Sequence, residues 1–67
     1  MALPCFERLS AERQHGLLAA AAMEFAAKGY EGAALNAIAE NAGMKEASVY
    51  YYFADKADLY ATVLEEA

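Results

Sequence analysis

The residues best suited to recognition chemistry lie in one run of the chain, KEASVYYY. A lysine ammonium binds phosphate, a serine hydroxyl donates to a phosphate or a base edge, and a glutamate accepts a hydrogen bond from a cytosine amine. Three consecutive tyrosines add hydroxyl groups and flat rings. The run therefore favours contact with a nucleic acid, through Lys45, Glu46, Ala47, Ser48, Tyr50, Tyr51 and Tyr52.

Helical spacing assigns these residues to faces. We predict a helix over residues 45–53, because Val49 and Phe53 stand one turn apart and suit a buried side. The small side chain of Ala47 would let such a helix lie deep against a thymine methyl group. On this helix Ala47, Ser48 and Tyr51 point outward, and Tyr50 and Tyr52 lie on the flanks.

The residues before this helix indicate how it is held. A second helix is predicted over residues 35–41, followed by a short turn. Ala39 is small enough for two helices to cross closely, and Gly43 suits a backbone with positive φ at the turn. With Val49 as the apolar anchor, the pattern is that of a helix-turn-helix, whose second helix usually enters the DNA major groove.

A longer helix is predicted over residues 11–28. Ser10 is a suitable N-cap, and Gly29 is a suitable stop, after which Tyr30 can fold back on Phe25. We expect Met23 and Met44 to fill the core. The predicted inner stripe of the long helix is Leu18, Ala21, Ala22 and Phe25.

The two ends complete the predicted fold. Residues 1–9 lack a helical period and contain the only proline, so we expect a loose arm. Asp55 is a plausible cap for a helix that begins at residue 56 and runs to 67. The chain is therefore predicted to be one all-α domain: a three-helix, homeodomain-like helix-turn-helix bundle with the start of a fourth, connecting helix.

Net charge opposes a nucleic-acid partner. The chain carries a formal charge of −5, whereas phosphate contacts require lysine and arginine. The acidity is uneven, since residues 57–67 contain three acidic residues and no basic one. Much of the negative charge therefore lies outside the predicted recognition helix.

Composition argues against other classes of protein. The longest apolar run, residues 17–23, is too short to cross a bilayer. We expect no secretory signal, because the first residues lack a basic region followed by an apolar one. The single Cys5 cannot form an internal disulfide, which fits a cytoplasmic location. His15 has no neighbouring ligand set, and neither a phosphate loop nor a nucleophile triad is present. We therefore expect no enzyme activity, metal, cofactor or membrane partner.

The run GYEGAALNAIAENAGMKEASVYYYFADKADLY resembles, without a gap, the N-terminal DNA-binding domain of TetR-type bacterial transcriptional regulators. The resemblance extends from about Leu17 to Leu64. Its specific part is the tyrosine-rich end of the recognition helix followed by an Asp-Lys step. The residues that carry the resemblance are Ala20, Phe25, Gly29, Tyr30, Ile38, Ala39, Ala42, Gly43, Ser48, Val49, Tyr50, Tyr52, Phe53, Lys56 and Leu59.

The resemblance implies a role for several residues and partners. Tyr50, Tyr52 and Lys56 would contact DNA phosphates, and Tyr51 would face the groove. In the family a C-terminal domain binds a small-molecule effector and forms a homodimer, so that two heads read one near-palindromic operator in double-stranded DNA. We expect that domain to be absent from this chain, and the protein to act as a repressor.

Three positions depart from the family pattern. Ala34 stands where the family often has a capping threonine, and Asn36 stands where it often has arginine. Lys45 replaces a frequent serine or threonine and restores one charge. Asn36 can still reach a base or a phosphate, so we expect modest affinity and a distinct operator.

Alternatives remain at several residues. Glu46 can simply complement the helix dipole, Tyr52 can be a half-buried core residue with a wet hydroxyl, and Lys56 can be solvated. At the level of the whole chain, the alternative is a helical protein-interaction module without DNA affinity. A third possibility is a truncated piece with no activity of its own.

Overall fold

The computed structural model describes residues 3–66, all of whose regular structure is helical. Five helices follow one another along the chain: α1 (Pro4–Glu7), α2 (Ala11–Gly32), α3 (Leu35–Asn41), α4 (Glu46–Tyr52) and α5 (Lys56–Glu66). This architecture confirms the predicted all-α fold class. Met1, Ala2 and Ala67, at the ends of the predicted arm and the last predicted helix, lie outside the described residues.

The predicted loose arm is wrong for the part that the structure describes. Pro4 opens α1, where its missing N–H would have had no helical partner, and Phe6 is buried. The Leu3 N–H donates to the Tyr52 carbonyl over 2.7 Å, which ties the segment to the end of α4. A helix of four residues is not stable by propensity alone, so this tertiary packing holds it.

Helix α2 begins at the predicted residue, Ala11, and Ser10 is its N-cap. The Ser10 hydroxyl accepts a hydrogen bond from the Arg13 N–H. At Gly29 the helix is interrupted by a φ of 74°, as a glycine stop requires. One further turn follows, ending at Gly32, so α2 extends beyond the predicted residue 28. The ring of Tyr30 stacks on Phe25 as predicted, with ring centroids 6.1 Å apart.

The buried face of α2 differs from the predicted stripe. Leu18 is only half-buried and Ala22 is exposed. Because alanines surround this part of the helix, the apolar pattern defines its inner face poorly. The residues that α2 buries are Leu17, Ala20, Ala21, Glu24 and Phe25.

The same rotation of α2 overturns the prediction for Met23. With Leu17, Ala21 and Glu24 facing inward, residue 23 falls on the outer side, and its side chain is 74% exposed. Met44, by contrast, packs against the core as expected.

All five described helices contribute side chains to the core. Ala39 is fully buried, in agreement with the close helix crossing predicted there. Helix α3 has the predicted bounds, and α4 is one residue shorter than predicted at each end. The largest fully buried side chains are Leu17, Ile38, Val49, Phe53 and Leu59.

Candidate nucleic-acid interface

Helix α4 is held by one side only. Val49 is fully buried and Phe53, at its C-cap, is 1% exposed, so these two apolar side chains seat the helix on the core. The opposite side carries the exposed Glu46, Ala47 and Tyr51. A short helix is thus presented with a free outer face, which is the geometry needed to enter a groove of another molecule.

The three consecutive tyrosines have different environments. Tyr51 is 68% exposed and Tyr50 is 49% exposed, so both rings are available to a partner. Tyr52 is half-buried against the core. Of the three tyrosines, Tyr52 is therefore the one whose ring helps to pack α4 against the core.

The turn between α3 and α4 is built on Gly43, whose φ of 77° is the positive value predicted for it. The Gly43 N–H donates to the Glu40 carbonyl over 3.1 Å, and the Met44 N–H donates to the Ala39 carbonyl over 2.9 Å. These bonds satisfy carbonyls at the end of α3 and set the angle at which α4 leaves it.

Lys45 and Ser48 stand at the start of α4. Lys45 is the N-cap residue, is exposed and makes no capping bond through its side chain. Ser48 is half-buried, and its N–H donates to the Lys45 carbonyl over 2.9 Å. The Lys45 ammonium is therefore available beside the exposed face of α4.

Asn36 lies exposed in the first turn of α3. Its side-chain Oδ1 accepts from the Ala37 N–H over 2.9 Å. Because the carbonyl oxygen is used within the helix, the amide nitrogen is the group that Asn36 can offer to a partner. That group is a hydrogen-bond donor, as phosphate recognition requires.

Glu24 is a residue that sequence reasoning missed. It is 7% exposed, and its carboxylate accepts from the Ala34 N–H over 3.1 Å, at the start of α3. The Lys28 ammonium lies 3.1 Å from the same oxygen. Since Ala34 has no side chain with which to cap α3, Glu24 supplies a carboxylate at that end. An acidic residue one turn after Ala20 and one turn before Lys28 was the signal in the sequence.

The hydrogen bond from Ala34, together with the hydrogen bond and charge of Lys28, lowers the pKa of Glu24 below its ordinary value of 4.5. Glu24 is therefore ionised at neutral pH. Its charge attracts the N-terminal end of α3.

Lys56 is held by groups near the end of α2. Its Nζ donates to the carbonyls of Glu31, over 3.3 Å, and Ala33, over 3.2 Å. It also lies 4.9 Å from the centre of the Tyr30 ring. The structure thus gives Lys56 partners at the end of α2, which the sequence did not predict.

The structure brings most of the predicted contact residues to one part of the surface. Lys45, Glu46, Ala47, Ser48, Tyr50 and Tyr51 follow one another along α4, and Asn36 belongs to α3, which packs against α4. No group of three His, Cys, Asp or Glu residues with metal-binding geometry occurs in the described range. None of the described helices is both long and apolar enough to cross a membrane.

Comparison with known proteins points to one family. Residues 17–63 match the family described as "Bacterial regulatory proteins, tetR family". The chain is also 39% identical, over 54 residues, to a protein named HTH-type transcriptional activator FasR from Mycolicibacterium smegmatis. That match covers 81% of this chain and 25% of the relative, so the chain spans about a quarter of that protein's length. No solved structure gives a significant match.

Proposed function

The chain belongs to the tetR family of bacterial regulatory proteins, and we propose that it is a sequence-specific head whose helix α4 reads the major groove of an operator half-site. A helix-turn-helix DNA-binding domain and a role in transcription regulation follow from the family.

One observation carries the assignment to α4. Val49 and Phe53 pack its inner side against the core, whereas Ala47 and Tyr51 on the other side are exposed to solvent. The major groove of B-DNA is wide enough to admit one α-helix. A helix seated along one side only can enter it without disturbing the core.

Each exposed side chain has a chemistry suited to this role. Ala47 permits close approach to a thymine methyl group, Glu46 accepts from a cytosine amine, and Ser48 donates to a base edge or a phosphate. Tyr51 faces the groove.

The remaining contacts are proposed for the DNA backbone. Lys45 contributes a charge, the Asn36 amide nitrogen a neutral donor, and Tyr50 and Tyr52 their hydroxyl groups. These contacts would fix the register of α4 on the duplex, and they carry no sequence information directly.

In the cell we propose a cytoplasmic regulator that acts as a homodimer and responds to a small-molecule effector, both through a C-terminal domain beyond this chain. Two linked heads raise the effective concentration of the second binding event, so a single head should bind a half-site weakly. Repression is the proposed mode of control, although the matched relative is named an activator. A promoter reporter that carries the selected operator distinguishes the two directions.

The proposal is tested by selection from a pool of random duplex DNA. The purified chain is mixed with the pool at low and at moderate salt, and the retained DNA is sequenced. We expect a short shared motif and binding that falls steeply as salt rises.

The comparison variant is Tyr51→Ala, which removes an exposed side chain of α4 and should weaken enrichment of the motif while circular dichroism stays unchanged. Retention of no DNA by a folded chain, combined with concentration-dependent self-association, would instead identify a protein-interaction module.

A further inference from the structure

Glu24 is the only ionisable residue that the fold buries among residues 3–65. Glutamate is rarely buried unless its charge is paired, because burial removes the water that stabilises the ionised form. Here one carboxylate oxygen has two partners, the Lys28 ammonium and the N–H of Ala34, each at 3.1 Å. The buried charge is therefore directed at the start of α3.

The residues at the start of α3 lack a capping box. In that motif a serine or threonine at the N-cap accepts from the N–H three residues later, and a glutamate or glutamine at that later position accepts from the N-cap N–H. In this chain the two positions are Ala34 and Ala37, whose methyl groups can accept neither bond. Both N–H groups need other partners, since the first N–H groups of a helix have none within it.

Two other side chains make these bonds. The Asn36 Oδ1 accepts from the Ala37 N–H over 2.9 Å, and the Glu24 carboxylate accepts from the Ala34 N–H. The first acceptor belongs to α3 itself, whereas the second comes from α2. The start of α3 is thus capped at both N–H groups, but one of the two bonds depends on the packing of α2 against α3.

The capped turn carries part of the proposed DNA interface. Asn36, whose amide nitrogen is proposed to contact the DNA backbone, lies two residues after Ala34, and α3 packs against α4. A helix of seven residues is not stable by propensity alone, so its order depends on its cap and on tertiary contacts. Loss of the acceptor for the Ala34 N–H would therefore loosen the turn that holds Asn36 and supports α4.

We infer that Glu24 is a positioning residue for DNA binding: its carboxylate, held by Lys28, fixes the first turn of α3 and thereby the placement of Asn36 and α4 on the duplex. This inference rests on the proposed DNA-binding function. The sign of the expected effect is distinctive. Removal of an acidic residue ordinarily favours binding to a polyanion, whereas removal of Glu24 should weaken it.

The test compares two glutamates. Affinity for the duplex selected with the parent chain is measured for Glu24→Ala and for a matched control, Glu40→Ala, which removes an exposed glutamate of α3. Urea unfolding fixes conditions in which every chain is fully folded, so that a loss of affinity is not a loss of folded protein. Glu24→Ala should bind about 3- to 10-fold more weakly than the parent chain. Glu40→Ala should bind at least as tightly as the parent chain.

A local acceptor should make Glu24 dispensable. Ala37→Gln places a neutral amide at the position from which a capping box accepts the N–H of Ala34. In a chain that already carries Ala37→Gln, the further change Glu24→Ala should alter affinity by less than about twofold. A role of Glu24 in stability alone would leave the affinity of all these folded chains unchanged.

Three results would overturn the inference: parent affinity in folded Glu24→Ala, equal weakening by Glu40→Ala, or an undiminished loss in the Ala37→Gln background. If Glu24→Ala does not fold, Glu24→Gln replaces it. That variant has no charge to bind Lys28, so it should weaken binding by about twofold or more, and parent affinity would again overturn the inference. If the parent chain selects no duplex, the proposed function fails instead.

Discussion

The ring of Phe6 lies 4.9 Å from the ring of Phe53, at an interplanar angle of 51°. This contact joins the first helix of the chain to the residue that ends the proposed recognition helix. Both side chains are buried, and the backbone bond from Leu3 to Tyr52 lies on the same boundary. The N-terminal segment is therefore part of the platform on which α4 rests.

Replacing Phe6 tests that role. Phe6→Ala should destabilise the domain by about 3 kcal/mol, because it removes a buried ring and leaves a cavity against Phe53. Urea unfolding followed by circular dichroism measures the effect. Cys5→Ala, at an exposed neighbour in the same helix, is the matched control and should change stability by less than about 0.5 kcal/mol. Equal stability of the two variants would show that Phe6 does not stabilise the domain and that residues 3–9 behave as a loose arm in solution.

Tyr51 should separate DNA affinity from stability. Because its side chain is 68% exposed, Tyr51→Ala should leave the unfolding midpoint nearly unchanged. Its affinity for the selected duplex should fall by about 1–3 kcal/mol, the usual loss for a base contact. Met23→Ala, at another exposed apolar side chain outside α4, should affect neither quantity. Fluorescence anisotropy measures affinity, and undiminished binding by Tyr51→Ala would exclude the residue from the interface.

Two glycines provide a matched test of backbone conformation. At neither Gly16 nor Gly43 does an atom from elsewhere in the described structure lie within 4 Å of the place where a Cβ would stand, so an added methyl group meets no obstacle at either position. Gly43→Ala should nevertheless destabilise by about 1 kcal/mol, because its φ of 77° is unfavourable for an L-residue. Gly16→Ala should stabilise by about 0.5–1 kcal/mol, because Gly16 lies within α2. Urea midpoints that moved in the same direction would contradict this reasoning.

Glu24 predicts a dependence of stability on pH. Its pKa in the folded protein is lowered, first by the hydrogen bond from Ala34 and then by Lys28. The ionised carboxylate therefore stabilises the fold above its unfolded-state pKa, and this contribution is lost as pH falls through the lower, folded-state pKa. Glu24→Gln should be less stable than the parent chain at neutral pH. The difference should shrink at pH values below 4.5, the ordinary value for glutamate.

The comparison is made by urea unfolding at a series of pH values. Glu40→Gln, which changes an exposed glutamate on α3, controls for the general effect of removing one negative charge. A stability difference for Glu24→Gln that stayed constant from neutral pH to well below 4.5 would show that the ionised form has no special role.

Much of the helix-turn-helix was predictable because interactions between residues close together in the sequence determine its conformation. The bounds of α3, the positive φ of Gly43 and the buried Val49 all follow from short-range spacing and from the conformational freedom of glycine. The exposure of Tyr51 follows from the same helical period. The roles of these exposed residues on DNA stay predictions until binding is measured.

Two sequence predictions were wrong, the buried face of α2 and the conformation of the N-terminal segment, because the local residue pattern there was weak. In α2 a series of alanines left the inner face undefined, and the pattern selected Leu18 and Ala22 where the fold buries Leu17 and Glu24. In the first nine residues a single turn of helix was too short to leave a period. Neither error changed the predicted fold class, because a missed helix and a misassigned helix face both leave the regular structure of the described residues helical.

The sequence by itself determined an all-helical domain, the helix-turn-helix and the family, since each depends on residues close together in the chain. Tertiary structure alone decided that Phe6 packs on Phe53, that Glu24 binds the Ala34 N–H, and that Lys56 binds carbonyls 23 and 25 residues before it. These contacts join segments whose separation along the chain carries no periodic signal. They form because buried rings and unpaired backbone groups at helix ends find partners only once the helices have packed.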